Sequence, residues 1–222
     1  MAAYLQTAAA PAPDEDPVRV LIADRNDLFR SGLKGMLLSA GHTVVADCRS
    51  SCDAVALARR TRPDVVLVEA TPQDEALPAT RRLAALSIAV VVLACHAEEE
   101  LVLSALGAGA QGFLLKDAQP EEFADAVRSA AAGGSPLSPN AAMHAVRTVR
   151  AGRRGEGSDA GLTARETDIL RSLVDGLSNR EIAELLVVSP MTVKRHVASI
   201  LEKLEATNRV QAAVHAVRRG LV

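Results

Sequence analysis

Cysteine is scarce in this 222-residue chain and odd in number: Cys48, Cys52 and Cys95 are all there is. Such a count excludes a disulfide scaffold and fits reduced thiols in a cytoplasm. Cys48 and Cys52 have no second Cys/His pair at zinc spacing, and Cys95 falls in what reads as a buried strand, so no metal site is expected. Long apolar runs are missing too. The longest, Ile88 to Cys95, falls far short of the ~20 residues that cross a bilayer, which argues against a membrane span. The opening MAAYLQTAAAPAPDEDP has no Lys or Arg and soon turns acidic. It is a poor secretory signal and reads as a flexible tail over 1–17. What remains, 49% hydrophobic and 23% charged residues, excludes collagen and a disordered chain. It suits one large globular domain or two small ones.

Charge is spread unevenly. Residues 1–17 and 18–132 each carry a net −3, whereas 133–161 and 162–222 each carry +2. An acidic front and a mildly basic back point weakly to a nucleic-acid partner for the C-terminal part. GGSPLSP at 133–139 breaks the apolar pattern, and AGRRGEGSDAG at 151–161 has the composition of a flexible linker. Between them, 140–150 has room for one more helix.

From Val18 to Gly133, VRVLIA (18–23), TVVAD (43–47), DVVLVE (64–69), IAVVVLA (88–94) and GFLLK (112–116) read as strands, short and apolar on both faces. Helical patterns fill 27–40, 51–61, 75–86, 98–108 and 120–132. Alternation of this kind predicts an α/β domain, a doubly wound parallel sheet of five strands. Open sheets work at the carboxyl ends of their strands. Those ends are Asp24-Arg25, Asp47, Glu69-Ala70, Ala94-Cys95-His96 and Lys116-Asp117. Asp64 starts a strand and Asp74 sits in a loop, so both are weaker candidates. Gly107, Gly109 and Gly112 spell GxGxxG, but after a helix and before a strand. That is the wrong order for a dinucleotide loop, so turn and capping roles are expected of them.

VRVLIADRNDLFRSGLKGML, PDVVLVE and ALGAGAQGFLLKDA resemble the receiver domain of NarL/FixJ-family response regulators, which implies a flavodoxin-like fold. In that family an acidic pair after the first strand holds Mg²⁺, and an Asp after the third strand accepts phosphate. A Thr or Ser after the fourth strand and a Lys after the fifth then engage the phosphoryl group. Asp24 and Lys116 match this pattern. Arg25 stands where the second acid is expected, Glu69 replaces the acceptor Asp, and Ala94 replaces the hydroxyl. Arg25 sets a permanent cation beside a metal position and removes a ligand. The Glu69 carboxylate reaches ~1.5 Å further from the backbone than that of Asp, and a displacement near 1 Å can cost about 10²-fold in an oriented reaction. Ala94 has no hydrogen bond to give. These departures argue against Mg²⁺ as a cofactor, against aspartyl phosphorylation and against a cognate sensor kinase. Three readings stay open: a fixed charge cluster of two acids and two bases in an inert dimerisation module, a Glu69 that mimics phospho-Asp, and a pocket recruited by a small ligand.

The C-terminal stretch 162–217 reads as four short helices. Thr163 and Glu166 form a capping box; Ser178 or Asn179, Ser189 with Pro190, and Asn208 begin the next three. On the third helix, Pro190–Leu204, Val193, Val197, Ile200 and Leu204 share the inward side. Met191, Arg195, Ala198 and Glu202 face outward, Thr192, His196 and Lys203 lie on one flank, and Lys194 lies on the other. LTxRE, GLSNREIA, S-x-x-TVK-x-HV and ILEKL are similar, in order and spacing, to the LuxR-type helix-turn-helix. The resemblance implies double-stranded DNA as partner, with two half-sites bound by a dimer. Bases would be read around Lys194 and Arg195, with Thr192, His196, Ala198 and Lys203 beside them. The family also pairs through its last helix, here Asn208–Arg219, which makes Asn208, Val210, Val214 and Val217 expected dimer contacts.

The whole reading is a cytoplasmic transcription factor rather than an enzyme: a receiver-like domain at 18–133, a linker at 134–161 and an all-α four-helix domain at 162–222. It forms a homodimer, or a heterodimer with a related regulator. The competing readings are an ordinary phospho-switch and a protein that titrates a second regulator.

Overall fold

Strands that are apolar on both faces must be covered on both, and the chain meets that demand by winding helices to either side. The computed structural model describes residues 16–71, 76–151 and 161–222. The tail as far as residue 15, Asp74 and the linker at 152–160 lie outside them. The first domain comprises β1 (Arg19–Ala23), α1 (Asp27–Ser39), β2 (Thr43–Cys48), α2 (Ser51–Thr61), β3 (Val65–Glu69), α3 (Ala76–Ala84), β4 (Ala89–Ala94), α4 (Glu99–Gly107), β5 (Gly112–Leu115) and α5 (Pro120–Ala131). All strand pairs are parallel, in the order β2-β1-β3-β4-β5. This is the doubly wound arrangement expected of the alternation.

Side chains of successive strand residues go to opposite faces. Val20, Ile22, Val65, Leu67, Val91 and Leu93 therefore pack under α1 and α5, with Leu33, Leu37, Phe123 and Val127. Leu21, Val66, Val68, Val90 and Val92 pack under α2, α3 and α4, with Val55, Leu83 and Val102. Cys95 departs from expectation: it follows β4 and is exposed, because the apolar run outlasts the strand by one residue.

The GxGxxG stretch does capping and close-packing work. Gly109 follows α4 with φ +102° and its amide donates to Leu106 O. At Gly112 a Cβ would lie 2.6 Å from Pro136 O, so only glycine admits the segment that runs beside it. That segment belongs to the sheet. Phe113 N–H donates to Pro136 O at 2.9 Å, and Ser138 N–H donates to Phe113 O at 2.8 Å. Receiver hydrogen bonding thus runs five residues past the boundary expected at 133.

Beyond it, α6 (Pro139–Ala151) occupies the predicted extra helix. Four helices then form the last domain: α7 (Ala164–Val174), α8 (Asn179–Leu186), α9 (Pro190–Lys203) and α10 (Arg209–Arg218). They enclose Ile169, Leu170, Ile182, Val193, Ile200 and Leu204. Thr163 caps α7 in a reciprocal box with Glu166, and Ser178, rather than Asn179, caps α8 in a second box with Glu181. Ser189 caps α9 ahead of Pro190. No helix among the described residues is long and apolar enough to cross a membrane.

Candidate functional site

Four of the five pocket residues converge at the carboxyl ends of β1, β3 and β5. Asp24 follows β1 and its side chain is fully buried. Its Oδ1 accepts from Asn26 N–H at 2.8 Å, and its backbone carbonyl accepts from Arg30 Nη1 at 2.7 Å. Glu69 ends β3. Lys116, just past β5, sets its ammonium between them, 2.7 Å from Asp24 Oδ2 and 2.5 Å from Glu69 Oε1. The ring of Phe29 lies 4.6 Å from that ammonium. Arg25 closes the group from outside. Its backbone N–H donates to Glu69 Oε2 at 2.8 Å, and its guanidinium stands 3.9 Å from the same oxygen, largely exposed.

Burial is the largest influence on each of these titrating groups, but it does not win everywhere. It carries the Asp24 carboxyl above the usual range against the bonds from Lys116 and Asn26. At Glu69 the bonds from Lys116 and from the Arg25 N–H outweigh burial, and the carboxyl falls below its ordinary value. At Lys116, Asp24 and Glu69 together outweigh burial and hold the ammonium more basic than usual. Lys116 is thus the stable positive centre of the cluster.

This donor set does not fit Mg²⁺. The metal needs several carboxylate or water oxygens in octahedral reach. Here an ammonium occupies the space between the two carboxylates, and the neighbouring acid position carries Arg25. Ala94 is buried at the end of β4, and its carbonyl accepts from Lys116 N–H at 2.9 Å. Its methyl group belongs to the core shared with Val68, Val92 and Val102. His96 is an exposed loop residue, and Asp64 lies at the amino end of β3, accepting from Arg19 N–H. Asp47 pairs with Arg30 and Lys34 at 3.0 and 3.1 Å, a neighbouring network. Sequence reasoning missed the roles of Phe29 and Arg30. Their place in the first turn of α1, just after the strand end that carries Asp24, was the available signal.

In the last domain α9 presents Met191, Lys194, Arg195 and Ala198 outward, with Thr192 and His196 half-buried at the flank. Lys194 and Arg195 have no hydrogen-bond or ion-pair partner among the described residues. Lys203, expected among the DNA contacts, has its ammonium engaged within the domain. Its ammonium lies 2.7 Å from Glu166 Oε2 and donates to Gly161 O at 3.0 Å, tying α9 to the start of α7. Ser199 adds a bond to Glu166 Oε1 at 2.7 Å. The Lys203 ammonium, then the Thr163 N–H, hold the Glu166 carboxyl down to about 2 against the effect of its burial.

A carboxyl lowered on folding stabilises above its unfolded pKa, ordinarily near 4.5, and loses that stabilisation as pH falls toward 2. Glu166 should contribute on the order of 2–3 kcal/mol at neutral pH. Urea unfolding of the full chain between pH 7 and 2.5 is expected to show a flatter acid limb for Glu166→Gln than for the parent. Equal slopes would remove Glu166 from the account.

The expected dimer helix is already partly engaged. Asn208 caps α10 through Gln211 N–H, and its Nδ2 donates to Leu106 O and Ala110 O of the receiver at 2.7 and 3.0 Å. Arg209 donates to Gly133 O and Leu177 O, and burial brings its guanidinium down to about 10. Val210 packs on the receiver core. Val214 and Val217 are half-buried on the same helix.

Comparison with known proteins decides the family. Residues 20–128 match the response regulator receiver domain and 160–216 match the luxR family of bacterial regulatory proteins. The chain is a NarL/FixJ-family response regulator. It is 37% identical over 216 residues to the transcriptional regulatory protein YxjL of Bacillus subtilis, covering 94% of this chain and 99% of that one. It is 34% identical over 206 residues to the nitrate/nitrite response regulator protein NarL of Escherichia coli K12, covering 90% and 95%. A solved LuxR-family two-component response regulator from Aurantimonas sp. SI85-9A1 superposes with a TM-score of 0.55 at 26% identity, over 60% of this chain and 97% of the other. The NarL/FixJ regulator described here is accordingly a DNA-binding transcriptional response regulator, and its named relatives are regulators rather than enzymes.

Proposed function

We propose that this regulator binds operator DNA without control by aspartyl phosphorylation, its receiver held in one state by the cluster of Asp24, Glu69, Lys116 and Arg25. The observation that carries the reading is the Lys116 ammonium seated between two carboxylates at 2.7 and 2.5 Å. With the ammonium already neutralised, Ala94 in place of a hydroxyl and Arg25 in place of an acid, an incoming phosphoryl group meets neither a metal nor a free cation. A cognate sensor kinase has no acceptor to serve. In the output domain Lys194 and Arg195 read base edges, Thr192 and His196 contact phosphates, and Ala198 offers a methyl where relatives use a base. Lys203 is withdrawn from that list by its bond to Glu166. A single domain of this size and modest charge gains affinity by pairing, so a dimer on two half-sites is the binding unit.

The test is phosphorus-32 acetyl phosphate with Mg²⁺, followed by operator titration of treated and untreated protein. The expected result is no stoichiometric label and an unchanged operator affinity. Near-stoichiometric, Mg²⁺-dependent labelling that tightens binding would overturn the reading and restore a conventional phospho-switch.

A further inference from the structure

Two side chains on the outward face of α9 carry no charge. Met191, Arg195, Ala198 and Glu202 fall within about 60° of one another around the helix, at ~100° per residue, and all four are exposed. Their direction is fixed from two sides. Val193 and Ile200, opposite them, are fully buried in the core of the last domain. Ser189 accepts from Thr192 N–H at 3.1 Å, with Pro190 at the first helical position. The start of α9 is thus set before any DNA arrives, and with it the place of Met191.

Met191 keeps 73% of its surface exposed. Isolated exposed apolar residues are ordinary, but a face that approaches a polyanion is an unusual place for one, because a thioether and a methyl gain nothing from phosphate. In the major groove the apolar group that a base pair presents is the C5-methyl of thymine. Methionine is unbranched and polarisable, so it can follow the uneven surface such methyls make. At 1.5 Å of rise per residue, Met191 stands about 6 Å before Arg195 along the helix axis and Ala198 about 4.5 Å beyond it. Successive base pairs are about 3.4 Å apart, so both contacts fall one or two base pairs from the one that Arg195 reads. Glu202, one turn further on, ends the stretch with a carboxylate that phosphate repels.

We propose that Met191 and Ala198 determine specificity by packing on thymine methyl groups to either side of a guanine held by Arg195. Each half-site then carries a guanine with an A·T pair within two steps on both sides. The inference deepens the base reading given to α9 above and rests on it. It does not depend on how the receiver is controlled.

The test selects an operator from random-sequence DNA with the full-length chain. Each thymidine of a half-site is then replaced by deoxyuridine, which deletes the 5-methyl and nothing else. Fluorescence anisotropy at one stated salt concentration reads the affinity. Two positions, one on each side of a guanine, are expected to lose about fourfold each, the value of one buried methyl. Met191→Ala should weaken the thymine operator and abolish the loss at one of these positions while keeping it at the other. Ala198→Ser, which sets a hydroxyl at the methyl contact, should do the converse. Both residues are exposed, so neither change should move the thermal midpoint of the chain. A deoxyuridine series without effect, or a loss that survives in its matching variant, overturns the proposal while Arg195→Ala still loses the operator. Equal operator affinity for Arg195→Ala and the parent, or no enriched sequence at all, overturns the base reading of α9 and this proposal with it.

Discussion

Replacing Lys116 with methionine is expected to destabilise the receiver by about 3–5 kcal/mol at pH 7, the usual penalty for removing one partner from a buried ion pair. The side chain fits sterically, so the loss is electrostatic. Asp24, whose side chain is fully buried, and Glu69, only 13% exposed, would face one another across the vacated space. Arg25 cannot take over, because its guanidinium is largely in solvent and 3.9 Å from Glu69 alone. The variant should also show a stronger pH dependence between 7 and 5 than the parent. Without Lys116 both carboxyls rise, so the folded variant binds protons more readily than its unfolded chain, and its stability recovers as pH falls from 7 to 5. Urea unfolding at the two pH values reads this directly. A loss below about 1 kcal/mol, the range of exposed pairs, would mean that water already solvates the cluster.

The second large effect belongs to Arg195. Arg195→Glu should lower operator affinity by about 10²-fold or more, combining a lost bidentate base contact with repulsion from phosphate. Two neighbours sharpen the test. Lys194→Ala should weaken binding and reduce the slope of log affinity against log salt by about one if it pairs with phosphate. Lys203→Met should leave that slope unchanged, since its charge is already held by Glu166 at 2.7 Å, and should instead lower the melting point of the last domain. Fluorescence anisotropy at several stated salt concentrations separates the three. A salt slope that falls with Lys203→Met would return this residue to the DNA contacts.

The receiver sheet was legible because its strands are apolar on both faces, which only burial between helices explains. The pocket was legible because strand ends have a fixed place in such a sheet. Lys203 was not. Angular position on α9 gives a direction in the helix's own frame, whereas its partner Glu166 arrives from α7 through a capping box 37 residues away. The capping box itself was readable from Thr163 and Glu166, but its spare carboxylate oxygen was not. Asn208 likewise carries two jobs. Its capping role follows from the residues next to it, while its bonds to Leu106 and Ala110 span about a hundred positions and have no local trace. The Gly-Ser-Pro stretch was read for what it interrupts, and that concealed its pairing with β5.

That pairing has a practical sequel. β5 is one of the two edge strands of the sheet, and the 136–138 segment covers its rim. A receiver fragment ended after Gly133, where composition changes, would leave the Phe113 N–H and C=O facing outward beside a glycine too small to shield them. Bare rims of this kind recruit other chains. Self-association of such a fragment would therefore say nothing about how the intact regulator pairs, and a fragment carried through α6 is the one that reports faithfully.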